Sequence, residues 1–166
     1  VIEAQREGVP PILLSAMPAP PILGDQLSPL IAGDSVTIWF GDGGVSKSLL
    51  ALAAAGCVAT GREVLGLPVS RSGNVLFMDW EWTGHHHKER LDMLGMSDAP
   101  ILYDFCTMPF AEQVHRVASL VAEHDVQLLV IDSIALACGD DPETANTARR
   151  FYEAARMLEV PILAIA

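Results

Sequence analysis

The stretch "WFGDGGVSKSLLALAAAG", residues 39–56, joins a short apolar start, a run of glycines, the pair Lys47-Ser48 and a continuation rich in Leu and Ala. Upstream, "SVTIWF" is β-branched and aromatic and predicts a buried strand. Downstream, "KSLLALAAAGCVATG" predicts a helix that ends at Gly61. This order suits a phosphate-binding loop, because the loop amides and the helix N-terminus then point at one spot and favour negative charge there.

The loop between this strand and this helix follows the pattern G-x-x-x-x-G-K-[ST] except at its sixth place. In such a loop, Lys47 reaches the β and γ phosphates of a nucleotide and Ser48 ligates Mg²⁺. The residues predicted to contact the nucleotide are Gly41, Asp42, Gly43, Gly44, Val45, Ser46, Lys47, Ser48 and Leu49. The alternative is a glycine-rich turn that opens an ordinary helix.

The departure from the pattern is Ser46, which stands where glycine is usual. One interpretation is that the loop needs an unusual backbone angle here, which glycine supplies freely and serine at some cost. The other is that the angle is ordinary and serine fits. We expect a functional loop with a tolerated substitution.

Two further segments end strands in carboxylates. "LLVIDS", residues 128–133, places Asp132 at the tip of an apolar strand, which suits Mg²⁺. "LFMDWEW", residues 76–82, carries Asp79 and Glu81, which would point the same way along a strand. A carboxylate near the γ-phosphate can activate the attacking water. The alternatives are a turn-forming Asp-Ser pair and solvated residues at a strand end.

Strands alternate with helices along the rest of the chain, which predicts an α/β fold with a mostly parallel sheet and helices on both faces. The other predicted strands are "NVLFMDW", "ILYDF", "VQLLVID" and "PILAIA". The other predicted helices are "HHHKERLDMLG", ending at Gly95, "AEQVHRVASLVAEH", and "DPETANTARRFYEAARML" with Asp141 as its cap and Pro142 in its first turn. Residues 1–34 are rich in proline and predict a lead-in or linker, and residues 35–166 a domain that is incomplete at its C-terminus.

The composition narrows the function classes. The 166 residues carry a net charge of −11 and no basic patch, so this segment by itself is a poor candidate for binding a phosphate backbone. No apolar run is long enough to span a bilayer, which predicts no membrane association. Three cysteines without metal spacing are typical of reduced thiols in a cytoplasmic protein.

Several side chains favour a structural role over a functional one. The run His85–His87 is expected to be a solvated helix start rather than a metal site. The pair Arg149-Arg150 is expected on a solvated helix face. The tryptophans Trp39, Trp80 and Trp82 are expected to pack in the core or at the sheet edge rather than to stack on a base.

Three segments, "GDGGVSKS", "FMDWE" and "LLVIDSIALA", occur in the order found in RecA-type ATPases. The segments "DWEWTGHHHKERL" and "IDSIALACGDD" also resemble the sequences of a subgroup of AAA-labelled, RepA-like and KaiC-like ATPases. This resemblance covers about residues 30–166. The resemblance implies a RecA-like P-loop fold and Mg-dependent hydrolysis of ATP, with ATP and Mg²⁺ bound. The functional positions of the family pattern correspond in this sequence to Gly41, Gly44, Lys47, Ser48, Glu81 and Asp132.

In the pattern of that superfamily, Glu81 is the catalytic base, Lys47 holds charge on the phosphates and Asp132 supports Mg²⁺. The resemblance also implies a homo-oligomeric ring or filament, and DNA contacts through basic loops beyond Ala166. The expected task is DNA replication or recombination in a bacterium, phage or plasmid. Two rivals stay open: a nucleotide-binding regulatory or assembly module with negligible hydrolysis, and a GTP-binding switch, whose N-K-x-D motif does not occur in residues 1–166.

Overall fold

The computed structural model of the chain describes residues 13, 16, 26–27, 29–63, 66–141 and 144–166. The strands are β1 (Val36–Trp39), β2 (Val75–Asp79), β3 (Ile101–Phe105), β4 (Leu128–Asp132) and β5 (Ile162–Ile165). The α-helices in this part of the chain are α1 (Lys47–Thr60), α2 (Gly84–Met93), α3 (Val114–Glu123), α4 (Ile134–Ala137) and α5 (Ala145–Ala155), and a 3₁₀ turn covers Phe110–Glu112.

The strands form one five-stranded sheet in the order β1-β5-β4-β2-β3, and every neighbouring pair is parallel. The carboxyl ends of parallel strands meet at one edge of the sheet. That edge therefore carries the loop after β1, Asp132 at the end of β4 and Asp79 at the end of β2. Asp79 and Asp132 are direct register partners on adjacent strands.

Helices cover both faces of the sheet. Alternate residues of β2 and β4, such as Phe77 and Val130, pack on one face with α1, Leu27 and Ile31. The intervening residues, such as Met78 and Ile131, pack on the other face with α3 and α5. The prediction of an α/β fold with a parallel sheet and helices on both faces is confirmed, and the arrangement is consistent with a RecA-like P-loop nucleotide hydrolase.

The first strand is less buried than the sequence predicts. All four residues of β1 are half-buried, whereas β2, β4 and β5 are buried throughout. The reason is position, because β1 lies at one end of the strand order and, among the described residues, only β5 pairs with it. An apolar β-branched run therefore predicted the strand correctly but not its place at the edge.

The helix ends are set by local backbone chemistry. Helix α1 stops where Gly61 adopts φ 70°, a left-handed angle that glycine takes without strain, as predicted. Helix α5 begins at Ala145, and the hydroxyl of its cap Thr144 accepts a hydrogen bond from the Thr147 N–H. The prediction that Asp141 caps this helix is wrong, because Thr144 holds that position, and Pro142 lies outside the described residues.

Most of the predicted proline-rich lead-in, residues 1–34, also lies outside the described residues. Its described part includes Gln26, Leu27 and Ile31, which are buried. Leu27 forms isolated bridges with Ile31 and Val69. The division of the chain at residues 34 and 35 stays a prediction. Among the described residues, none of the helices has the length and apolar character that crossing a bilayer requires.

Candidate active site

The loop between β1 and α1 closes around the side chain of Lys47. The Lys47 ammonium donates to the carbonyl oxygens of Gly41, at 2.5 Å, and Asp42, at 2.8 Å. Gly44 has φ 80°, so this position requires the conformational freedom of glycine. The loop thus folds as a tight turn whose only lysine sits at the N-terminus of α1, where the helix dipole favours an anion.

The backbone at Ser46 decides between the two interpretations left open by the sequence. Ser46 has φ 63° and ψ 28°, which is the left-handed region. The angle is therefore the unusual one that glycine supplies freely. A non-glycine residue pays about 1–2 kcal/mol to hold this conformation. The loop keeps its shape with serine, at a cost in stability.

Replacing Ser46 with glycine is expected to raise the free energy of unfolding by roughly 0.5–1 kcal/mol, because the strain is removed while some unfolded-state entropy is gained. Denaturant unfolding without nucleotide measures this. Ser119→Gly is the matched control, since Ser119 is exposed within α3 at an ordinary helical angle, where glycine costs stability. Equal destabilisation by the two substitutions would contradict the assignment of strain to Ser46.

Asp132 and Ser48 meet at the carboxyl edge of the sheet. Asp132 is 1% exposed, and its Oδ2 has no hydrogen-bond partner among the described residues. Burial raises the pKa of Asp132, the Ser48 hydroxyl lowers it through a hydrogen bond, and the nearby carboxylates of Asp79 and Glu81 raise it further. A desolvated carboxylate oxygen beside a hydroxyl is a donor set that fits a hard divalent cation such as Mg²⁺.

Asp79 holds the turn that follows β2. Its Oδ2 lies 2.7 Å from His87 Nε2, and its Oδ1 accepts the N–H groups of Glu81, at 2.8 Å, and Trp82, at 3.1 Å. Burial by itself raises the pKa of Asp79, but the hydrogen bonds from His87 and the two amides outweigh burial and leave that pKa below its usual value. Asp79 therefore has a structural role, because its carboxylate holds the turn after β2 in place through these hydrogen bonds.

The prediction that Asp79 and Glu81 point the same way along one strand is wrong. Strand β2 ends at Asp79, and the chain then turns back so that the Glu81 N–H bonds the Asp79 side chain. Asp79 is buried, whereas Glu81 is exposed and lines a cleft. The Glu81 carboxylate accepts a hydrogen bond of 2.7 Å from the Ser133 hydroxyl, which joins the turns after β2 and β4.

The expectation for the histidine run is wrong for its last member. His85 and His86 are exposed, but His87 is 3% exposed and packs against the rings of Phe77 and Tyr103, with centroids 4.8 Å and 5.6 Å away. The helical spacing of four residues puts His87 and Leu91 on the inner face of α2, where both are buried. That periodicity was the signal that could have identified His87.

The tryptophans divide between packing and the cleft. Trp39 and Trp80 pack against the two cores, and their indole N–H groups donate to the carbonyls of Leu30 and Met108, so the expectation of packing is confirmed for both. Trp82 is 40% exposed and lines the cleft. Its carbonyl accepts the Tyr103 hydroxyl at 2.6 Å.

The expected solvated helix face for Arg149 and Arg150 is also confirmed, since both are exposed and pair with Glu153 and Asp140.

Arg90 is a cleft residue that the sequence reasoning missed. Its guanidinium lies over the Trp82 ring, 5.4 Å from the centroid, and its Nη1 is buried without a hydrogen-bond partner in the described part of the chain. It stands three residues after His87 on α2. The spacing from the buried His87 could have indicated that Arg90 lies beside the inner face of this helix.

These side chains surround one cleft of about 530 Å³, a volume typical of small-molecule sites. Seven of the nine predicted nucleotide-contacting residues line it, together with Glu81 and Asp132. The seven are Gly41, Gly43, Gly44, Ser46, Lys47, Ser48 and Leu49. A second cleft of about 470 Å³, lined by Asp34, Tyr152 and Glu159 among others, contains none of the predicted site residues.

Comparison with protein families returns one family model, described as an AAA domain, which matches residues 14–162. The matched segment includes the loop after β1, Glu81 and Asp132. Comparison with curated protein sequences finds no significant match. Proteins with AAA domains bind and hydrolyse nucleotides, which agrees in class with the cleft described above. Because the match spans most of the 166 residues, the chain belongs to the AAA domain family.

Proposed function

We propose that this domain binds ATP together with Mg²⁺ and hydrolyses the bond between its β and γ phosphates. One observation carries the proposal: a single cleft brings together Lys47 from the loop, the contacting pair Ser48 and Asp132, and Glu81 held by Ser133. These are a cation for phosphates, a cation-binding oxygen set and a base. Phosphoryl transfer needs little else from a protein besides positioning.

The phosphates are proposed to replace the carbonyl partners of Lys47. Its ammonium now bonds Gly41 and Asp42 within an exposed loop, so these bonds can be exchanged for bonds to phosphate oxygens. The amides of residues 43–48 would then surround the same anion at the start of α1. Charge that develops on the transferring phosphoryl group would be stabilised at this spot.

Ser48 and Asp132 are the residues that would hold Mg²⁺, since Asp132 Oδ2 is buried and without a partner among the described residues. When bound, Mg²⁺ supplies positive charge to the phosphate oxygens. Glu81 is proposed to accept the proton of the attacking water as it approaches the γ-phosphorus in line with the leaving oxygen. Ser133 orients the Glu81 carboxylate, and Asp79 anchors the turn that carries it.

The Asp132→Asn protein tests this assignment through stability. Because the folded-state pKa of Asp132 lies above its unfolded value, the contribution of this group to stability is present at low pH and is lost as the pH rises through the folded-state pKa. At pH 8 without Mg²⁺, Asp132→Asn is therefore expected to raise the free energy of unfolding by about 1 kcal/mol. The extra stability that wild type gains from Mg-ATP is expected to disappear.

Thermal unfolding with ATP and Mg²⁺, with ATP in EDTA, and with neither ligand measures both effects. Asp98→Asn is the control. Asp98 is exposed, and its ion pair with the exposed Arg62, at 3.7 Å, contributes little to stability. That variant should keep the full response to Mg-ATP. An Asp132→Asn protein that still responds to Mg²⁺ would contradict the proposed metal site, and a wild-type protein that responds to no nucleotide would contradict the proposed function.

A regulatory or assembly module that binds ATP with negligible hydrolysis is the second candidate, and the strained Ser46 in the loop favours it. Single-turnover hydrolysis by wild type separates the two. We propose, from the resemblance to RecA-type ATPases alone, that the protein works as a homo-oligomer in DNA replication or recombination. A rise of specific activity with protein concentration, and with added DNA, tests those two points.

A further inference from the structure

We infer that His87 and Tyr103 are positioning residues for hydrolysis, because together they hold the buried Asp79 carboxylate and the turn that presents Glu81 to the cleft. This inference rests on the proposed function. Neither of the two side chains lines the cleft that contains Lys47, so both are expected to act through Asp79 and not on the nucleotide. Their loss should therefore lower the rate of the chemical step and leave the affinity for ATP unchanged.

The backbone of the turn after β2 depends on side chains rather than on the sheet. Bonding to the neighbouring strand ends at Trp80, whose N–H donates to the Asp132 carbonyl at 2.8 Å. The next two N–H groups, those of Glu81 and Trp82, both donate to Asp79 Oδ1, at 2.8 Å and 3.1 Å. A displaced Asp79 carboxylate would therefore displace the backbone of Glu81.

His87 holds the other oxygen of that carboxylate. Its Nε2 lies 2.7 Å from Asp79 Oδ2, and both side chains are buried. Burial raises the pKa of Asp79, but the hydrogen bond from His87 and those from the turn amides leave that pKa below its usual value. The carboxylate is therefore ionised and Nε2 is the nitrogen that carries the proton. An apolar side chain at position 87 would take a donor away from a buried charge.

Tyr103, on strand β3, bonds the same turn. Its hydroxyl donates to the Trp82 carbonyl at 2.6 Å and lies 3.3 Å from Asp79 Oδ2. Burial, and after it the charge of Asp79, raises the pKa of Tyr103, so the hydroxyl stays protonated and remains a donor. The rings of Tyr103 and His87 pack with centroids 5.6 Å apart. The turn that carries Glu81 is thus tied to both α2 and β3, and a misplacement of about 1 Å at a reacting group can cost about 100-fold in rate.

Single-turnover hydrolysis of ATP and the affinity for ATPγS, both measured on the whole chain with Mg²⁺, test the inference. His87→Leu keeps an apolar side chain against Phe77 and removes the donor to Asp79. It is expected to slow hydrolysis about tenfold or more, while the affinity for ATPγS changes by less than about twofold. His87→Gln, which retains an N–H donor on a side chain of similar length, is expected to recover most of the rate.

Tyr103→Phe keeps the ring and removes only the hydroxyl, so it disturbs the turn while His87 still pairs with Asp79. It is expected to slow hydrolysis about threefold or more with the affinity for ATPγS unchanged. In the Glu81→Gln protein, His87→Leu and Tyr103→Phe are each expected to slow hydrolysis by less than about twofold, because the side chain that they position has already lost its base. This non-additivity separates positioning of Glu81 from a general loss of stability.

His85→Leu is the matched control, since His85 is exposed on the same helix, and it should change neither rate nor affinity. Circular dichroism reports whether each variant folds; should His87→Leu fail to fold, Tyr103→Phe decides by the same criteria. Wild-type hydrolysis in the folded variants, equal losses of rate and ATPγS affinity, or full additivity with Glu81→Gln overturns the inference and leaves the proposed function standing. A wild-type protein that hydrolyses no ATP overturns the proposed hydrolysis and this inference with it.

Discussion

Replacing Glu81 with glutamine is expected to slow the hydrolysis of bound ATP by about 100-fold or more, a typical contribution of a general base. Glutamine keeps the size of the side chain and an oxygen that can accept the Ser133 hydroxyl, now at 2.7 Å from the carboxylate. It removes the negative charge and the basic site. ATP binding is expected to survive, because Lys47, Ser48 and the loop amides are the groups proposed to hold the phosphates. The variant should therefore accumulate in the ATP-bound state.

Single-turnover hydrolysis, with protein in excess over radiolabelled ATP, measures the chemical step apart from product release. Glu123→Gln at the exposed end of α3 is the control and should hydrolyse like wild type. Wild-type rates in Glu81→Gln would mean that the base is elsewhere. Asp79 would be a poor replacement, because both of its oxygens already bond His87 and the backbone. Absence of hydrolysis in wild type at every protein concentration would favour the regulatory module.

Replacing Lys47 with alanine is expected to lower the affinity for Mg-ATP about 100-fold, since hydrogen bonds to a charged group contribute about 1.5–3 kcal/mol. The fold is expected to stay intact. The two carbonyls that Lys47 bonds, those of Gly41 and Asp42, belong to exposed loop residues, so water can replace the ammonium at each. Titration calorimetry with ATP and Mg²⁺ gives the affinity, and circular dichroism with thermal unfolding reports the fold.

Lys88→Ala is the matched control for this experiment. Lys88 is the only other lysine of the sequence and forms an exposed ion pair with Asp92 one turn along α2. Its removal should change neither the affinity for Mg-ATP nor the melting temperature appreciably, because such surface pairs contribute little. An affinity of Lys47→Ala equal to that of wild type would be incompatible with a phosphate-binding role for the loop.

Much of the architecture could be predicted from short stretches. The apolar run "LLVID" makes β4 and ends in Asp132, and "KSLLALAAAG" makes α1, because strand and helix formation depend mainly on residues close in sequence. The run of glycines before Lys47 indicated the loop after β1, and Gly44 holds a left-handed angle there. Two predictions failed, one on the choice of a helix cap among nearby residues and one on the position of a strand in the sheet. The cap of α5 is Thr144 rather than Asp141, and β1 is half-buried because it lies at the sheet edge.

The same division holds within the candidate site. Lys47, Ser48, Glu81 and Asp132 could be proposed from motif spacing, since each follows or precedes a predictable element. Spacing did not reveal that β2 stops at Asp79, so that Asp79 and Glu81 separate into a buried anchor and a cleft residue. It did not reveal that Ser46 holds a left-handed angle either, because a serine at the glycine position of the pattern is compatible with an ordinary angle and with a strained one.

The sequence by itself therefore determined the order of strands and helices, the glycine-rich loop after β1 and the carboxylates at the ends of β2 and β4. These depend on periodicity and on residues next to one another along the chain. The tertiary structure alone decided the strand order, which places β5 between β1 and β4, and the burial of His87 and of Arg90 Nη1. Burial and hydrogen-bond partners come from packing between residues far apart in sequence, and that packing is not encoded in any single segment.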